Sequence, residues 1–213
     1  MKVGIFVIIV LVIVGVIAVG VIYISTYNNL VGLQERTNEG KSRVAAAVNT
    51  SSQKMKSVWA LADQEGIIEK ETYVTVARAR AGFEAAQEEF DKANSDKASS
   101  ILDLTKLGTS YGQALVNIRV AFEAYPQLRT TETYQKAMAS VEEGYNEIKT
   151  ALDDWVSQIR RYNACRRSLV TNWFASAFNW EFPKQIAYYE GGIKETEQIN
   201  VKSEELNPRT PAK

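Results

Sequence analysis

Val3 to Ile24 reads VGIFVIIVLVIVGVIAVGVIYI, twenty-two residues with no charge and no strongly polar side chain. At a helical rise of about 1.5 Å per residue they span roughly 33 Å, enough for the roughly 30 Å hydrocarbon core of a bilayer. A cleaved signal peptide has a shorter apolar region, about 7 to 15 residues, and small residues at its cleavage site. Here the run ends in Ile22-Tyr23-Ile24-Ser25-Thr26-Tyr27, which is bulky. The stretch therefore reads as a retained single-pass anchor over residues 1–24. Tyr23 and Tyr27 stand one turn apart at its end, where an aromatic belt meets the headgroups. Gly4, Gly15 and Ala18 share one helical face and would permit close helix approach.

Beyond the anchor the chain is charged and water-compatible. The 213 residues carry 25 basic and 25 acidic side chains. Without Lys2 the balance outside the membrane is 24 against 25, so net charge does not suggest a nucleic-acid partner. There are no histidines. That removes the commonest general base, the usual zinc ligand and every Glu-x-x-His di-metal bundle site. The single cysteine, Cys165, has no partner for an intrachain disulfide. No proline occurs before Pro126, and the intervening chain is rich in Ala, Glu, Lys and Gln, which favours helix over sheet.

Helical stripes then organise the chain. A membrane-proximal piece, residues 25–43, includes the polar run QERTNEGKSR and Gly40, and reads as the start of helix one, either a stalk or a solvated helix. Val44, Val48, Met55, Val58 and Ala62 have core-facing three-four spacing, with Ser51 in the missing position and Gly66 as the stop. Val76, Ala79, Phe83, Ala86, Phe90 and Ala93 form a second stripe, in heptad a/d spacing. Leu104, Leu107, Tyr111, Ala114, Ile118, Ala121 and Tyr125 continue it in the same register. One rod from 67 to 125 would reach roughly 88 Å, whereas Ser25 to Gly66 reaches only about 63 Å. A returning rod of that length would collide with the bilayer, so a break is expected in Asn94 to Ser100. Pro126 ends the next helix. Thr130 or Thr131 caps the last one, whose seam is Tyr134, Met138, Val141, Tyr145, Ile148, Leu152, Trp155, Ile159 and Tyr162. Arg166 interrupts that seam, and Leu169 and Trp173 are expected to resume it. The expected fold is all-α: an antiparallel up-and-down four-helix bundle, residues 44–190, on one N-terminal transmembrane helix. Residues 191–213 are expected to form a polar, flexible tail.

Three placements stand out: Tyr27-Asn28-Asn29-Leu30-Val31-Gly32-Leu33 after the anchor, Phe122-Glu123-Ala124-Tyr125-Pro126-Gln127-Leu128 in the centre, and Arg160-Arg161-Tyr162-Asn163 late in a long helix before an aromatic segment. Together they resemble the LemA family of bacterial membrane proteins. Glu71-Thr72, with Arg78-Ala79-Arg80-Ala81 after it, is also similar to the family's second helix. The resemblance runs from about residue 5 to 190. Two departures mark a divergent member. The family's D-L-x-P-N-L-V stretch is replaced by Met55-Lys56-Ser57-Val58-Trp59, and one late Tyr-Asn pair is present instead of two. The resemblance implies an antiparallel four-helix bundle on one membrane helix. It implies no reaction, and no catalytic residue carries over.

Read physically, those motifs set register. Tyr125 plugs a helix end that Pro126 stops. Asn28 and Asn163, each after a tyrosine, could bond backbone or a partner helix. Glu84, Glu88 and Asp91 share a face, as do Glu143 and Glu147. Carboxylates alone would suit magnesium or calcium, but charges on bundle helices are ordinarily a solvated face. A carboxylate-metal hydrolase is thus the weaker rival to a non-enzymatic interaction or scaffold module, which needs neither cofactor nor metal. A self-assembling, membrane-attached homo-oligomer is the other alternative, and an unknown protein partner is also implied. In an up-and-down bundle the fourth helix returns to the membrane. This puts Trp173, Phe174, Phe178 and Trp180 beside Tyr23 and Tyr27 at the lipid interface, just after the basic cluster Arg160-Arg161 and Arg166-Arg167. Lys2 on one side of the anchor against Arg36, Lys41 and Arg43 on the other favours a cytoplasmic bundle.

Overall fold

The computed structural model describes residues 2–66, 73–96, 98–178 and 184–193. The described residues form five α-helices: α1 (Lys2–Gln64), α2 (Val74–Ser95), α3 (Ile101–Glu123), α4 (Glu132–Arg166) and α5 (Leu169–Phe178), with a 3-10 turn at Pro126–Leu128 between α3 and α4. The distal part of α1 packs antiparallel on α4, and α2 antiparallel on α3. Together these four form the bundle.

α1 is one uninterrupted helix of 63 residues, about 95 Å long. It passes through residues 25–43 without a break. The polar run there is not simply solvated, because Leu30, Thr37 and Gly40 are buried on one side of the helix. They extend the stripe Val44, Val48, Ser51, Met55, Val58, Ala62 back towards the membrane. Thr37 and Gly40 hid that stripe in the sequence, being neither charged nor large and apolar. The Thr37 hydroxyl donates to its own helix at the Leu33 carbonyl (3.1 Å), so it can be buried without an orphaned donor. α1 ends at Gly66, whose φ of +64° is the left-handed value that glycine adopts at no steric cost.

The break between the second and third stripes falls where length demands it. α2 ends at Ser95, and the Asp96 side chain accepts from the Ala98 N–H at 2.8 Å, tightening the turn. α3 opens with a capping box. The Asp103 N–H donates to Ser100 Oγ (3.1 Å) and the Ser100 N–H to Asp103 Oδ2 (3.3 Å), satisfying two otherwise orphaned donors. Thr131 caps α4 through the Tyr134 N–H at 3.1 Å.

The core lies along the expected seams. Val76, Phe83, Phe90, Leu104, Tyr111, Ile118, Val141, Ile148, Leu152, Trp155, Ile159 and Tyr162 are all buried. The resumption of the last seam beyond Arg166 is corrected. α4 stops at Arg166, the chain turns through Arg167 and Ser168, and α5 starts afresh. Leu169 is 88% exposed and Trp173 53% exposed, so neither lies in the bundle seam. A three-four spacing carries across residues only while the helix itself is continuous.

Candidate functional site

Two features lie at the membrane end of the bundle, and both are built on the close of α4. The first is α5, folded onto α1. Phe174 is 1% exposed and packs with Leu30 and Tyr162, with Val19, Tyr23 and Leu33 around them. Its ring meets Tyr23 edge-on at 5.4 Å, and Tyr23 stands 6.1 Å from Tyr27. Leu30 of the Tyr27–Leu33 motif is therefore a packing anchor, while Asn28 is exposed. The neighbouring Asn29 amide approaches Cys165 Sγ at 3.6 Å. Val19 and Ile22 of α1, with Leu169, Val170 and Trp173 of α5, line an open apolar groove. The groove lies at the level where the uncharged stretch of α1 ends.

The sequence places six aromatics at the lipid interface, and the structure separates them. Tyr27 is 42% and Trp173 53% exposed. Tyr23 is half-buried, and Phe174 is turned inward, where it holds α5 against α1. The Phe178 side chain and Trp180 lie outside the described residues. Leu169 and Val170, which no aromatic pattern would single out, supply the rest of the outward apolar face.

The second feature is an extended strap, residues 184–193, laid between α3 and α4. The Asn163 amide holds Ile186 at both backbone atoms. It accepts from the Ile186 N–H at 2.9 Å and donates to the Ile186 carbonyl at 2.8 Å. The Tyr162 hydroxyl donates to the Lys184 carbonyl at 3.1 Å, and the Tyr189 N–H donates to Thr105 Oγ1 at 2.9 Å. The Arg160 guanidinium donates to the Tyr188 hydroxyl at 3.1 Å, which in turn donates to Glu190 at 2.6 Å. The Tyr188 bond, ahead of the Glu190 and Asp153 charges, raises Arg160 above its ordinary value. Burial raises the Tyr162 phenol, against the opposing Arg166 charge, so its hydroxyl remains a donor. At the far end Ile193 packs over Gly112, where a Cβ would collide with Ile193 Cδ1. Sequence reading leaves Asn163 a bond either to backbone or to a partner helix; the polar atoms of the Tyr-Asn pair bond the backbone of this strap. The strap itself escapes sequence reading because four of its bonds use strap backbone, which leaves no side-chain pattern.

Tyr125 and Pro126 tie the opposite end together. The Tyr125 hydroxyl donates to Thr75 Oγ1 at 3.2 Å and its ring meets Tyr73 edge-on at 5.0 Å. Pro126 opens the 3-10 turn, whose Leu128 is buried. Three of the acidic side chains on these faces are paired with cations, while Asp91 accepts from the Gln87 amide at 3.5 Å. Glu84 meets Arg80 at 2.9 Å; Glu143 and Glu147 meet Lys54 at 2.7 and 3.4 Å. The hydrogen bond to Glu143 is the chief reason that Lys54 is raised above its ordinary value. Among the described residues no group of three or more acidic or cysteine side chains is placed to hold a metal ion.

Among the described residues one helix, α1, is long and apolar enough to cross a membrane, giving a single-pass topology. No curated protein matches the chain, and no solved structure does. The family model described as LemA family matches residues 42–202, which covers the distal α1, the rest of the bundle, α5 and the strap. The chain belongs to the LemA family.

Proposed function

We propose that this protein is a non-enzymatic, membrane-tethered interaction module whose bundle stands on the cytoplasmic face and is braced there by a second contact with lipid. The observation that carries the reading is the seating of α5. Its inward residue, Phe174, is buried on α1, while Leu169, Val170 and Trp173 face outward beside Val19 and Ile22. Exposed large apolar side chains of this kind are costly in water and favourable at a headgroup boundary, where tryptophan is preferred. A bundle held by a continuous helix on one side and a seated short helix on the other has a fixed height and tilt. That suits presentation of a surface to other membrane-bound chains. Brominated-lipid quenching of the full-length protein in vesicles tests the contact. Quenching should fall markedly in Trp173→Phe, and equal quenching in the two proteins would remove the lipid brace. Orientation is read separately. In a Cys165→Ser background, Lys92→Cys should resist an impermeant thiol reagent in intact cells and react after lysis.

A further inference from the structure

We infer that the groove between α3 and α4 is a peptide-docking site that accepts the 184–193 segment of a second copy as well as its own, so that neighbouring copies exchange straps. The inference deepens the interaction-module reading by naming the surface and the partner.

The first support is how the groove recognises its occupant. Asn163, Tyr162 and Thr105 make four hydrogen bonds, all to strap backbone atoms: the Lys184 and Ile186 carbonyls and the Ile186 and Tyr189 amides. Such bonds need an extended chain and read no side chain. Selection is left to three positions. Ile186 packs against both apolar clusters, Tyr188 lies under Arg160, and Ile193 fits over the bare backbone of Gly112. A segment with the same spacing of aliphatic, tyrosine and aliphatic residues meets every requirement, and an identical copy carries one.

The second support is how lightly the strap is held. Of its ten residues only Ile186, Tyr188 and Ile193 are half-buried, and the other seven are exposed. Departure from one groove and entry into another conserves all four backbone bonds, so exchange costs little beyond bringing the copies together. The anchor lowers that cost. Every copy sits in one membrane plane, and its continuous α1 sets groove and strap at one height, which raises their effective concentration. With 24 basic against 25 acidic side chains outside the anchor, net charge does not hold copies apart.

Arg160 of the groove and Glu190 of the strap approach at 3.7 Å, which provides the test. Two full-length variants in a Cys165→Ser background, one Arg160→Cys and one Glu190→Cys, are given different tags and co-expressed in one membrane. A short bis-maleimide should link them into a species bearing both tags. Adding Asn163→Asp to the groove copy keeps an acceptor for the Ile186 N–H but removes the donor to its carbonyl, and should weaken that species about fivefold. The double variant Arg160→Cys/Glu190→Cys in one chain monitors docking of the strap in its own groove. Absence of any two-tag species overturns the inference, whether or not the double variant links internally. So does a two-tag species indifferent to Asn163→Asp, since the copies would then meet through another face. Quenching of Trp173 does not involve the strap, so the lipid contact and the exchange can fail independently.

Discussion

The indole of Trp155 in α4 rests directly on the backbone of Gly40 in α1. A Cβ at position 40 would overlap Trp155 Cδ1 and stand 2.9 Å from its Cγ. Trp155 is fully buried, and its indole N–H has no hydrogen-bond partner among the described residues. The unpaired donor costs about 1–3 kcal/mol, whereas losing a buried tryptophan from a core costs about 3–5 kcal/mol. Packing outweighs the orphaned donor, and a glycine in mid-helix is the condition for it.

Gly40→Ala should therefore destabilise the bundle even though alanine is the better helix former. Overpacking costs about 1–3 kcal/mol against a helix gain of up to about 1 kcal/mol. Gly82→Ala in α2 meets nothing within 4 Å and should stabilise by up to about 1 kcal/mol. Thermal unfolding of both variants in detergent makes the comparison. If they shift in the same direction, the close approach of α1 and α4 at this point is wrong.

Ser100→Ala removes one arm of the α3 capping box and should cost about 1 kcal/mol. Asp103→Asn retains a side-chain acceptor for the Ser100 N–H and should cost less. Urea denaturation ranks the two, and the reverse order would show that the box does not define the start of α3.

Alkaline pH should expose the burial of Tyr111. Burial, with the Asp91 charge adding to it, raises the Tyr111 phenol above its ordinary value of 10.0. The folded protein keeps this proton where the unfolded chain loses it. The stability involved is whole below about pH 10 and falls as pH rises beyond that, by up to about 1.4 kcal/mol per unit. Tyr111→Phe should flatten the pH dependence of the melting temperature above pH 10, with an offset at neutral pH from the lost bond to the Val48 carbonyl (3.3 Å). Lys54 is also raised and loses its favourable charge in the alkaline range, so the difference between the two slopes is the quantity to measure.

Asn163→Ala should loosen the strap without unfolding the bundle. The two bonds to Ile186 are together worth about 1–3 kcal/mol. Hydrogen exchange at the Ile186 and Tyr189 amides should accelerate, while that of buried α3 amides, such as Leu115, stays unchanged. Uniform acceleration would mean that Asn163 supports the whole core rather than the strap.

The sequence alone determined the anchor, the number of bundle helices and their seams. Those properties rest on period and length, which are local: apolar residues every three or four positions, an uncharged run long enough for a bilayer, and a limit on how far a helix can return. The resemblance carried by Tyr125-Pro126 and Tyr162-Asn163 was legible too, but not what those residues touch. Only the tertiary structure decided that Gly40 and Thr37 belong to the buried face of α1, because what suits them to it is a neighbouring helix. It decided that α4 stops at Arg166 and that α5 turns Phe174 inward and Leu169 and Trp173 outward. It also decided that Asn163 serves a strap twenty-three residues further on. A hydrogen bond to a backbone atom leaves no mark on the residue that receives it. This is why the groove between α3 and α4 could not be read before the chain was folded.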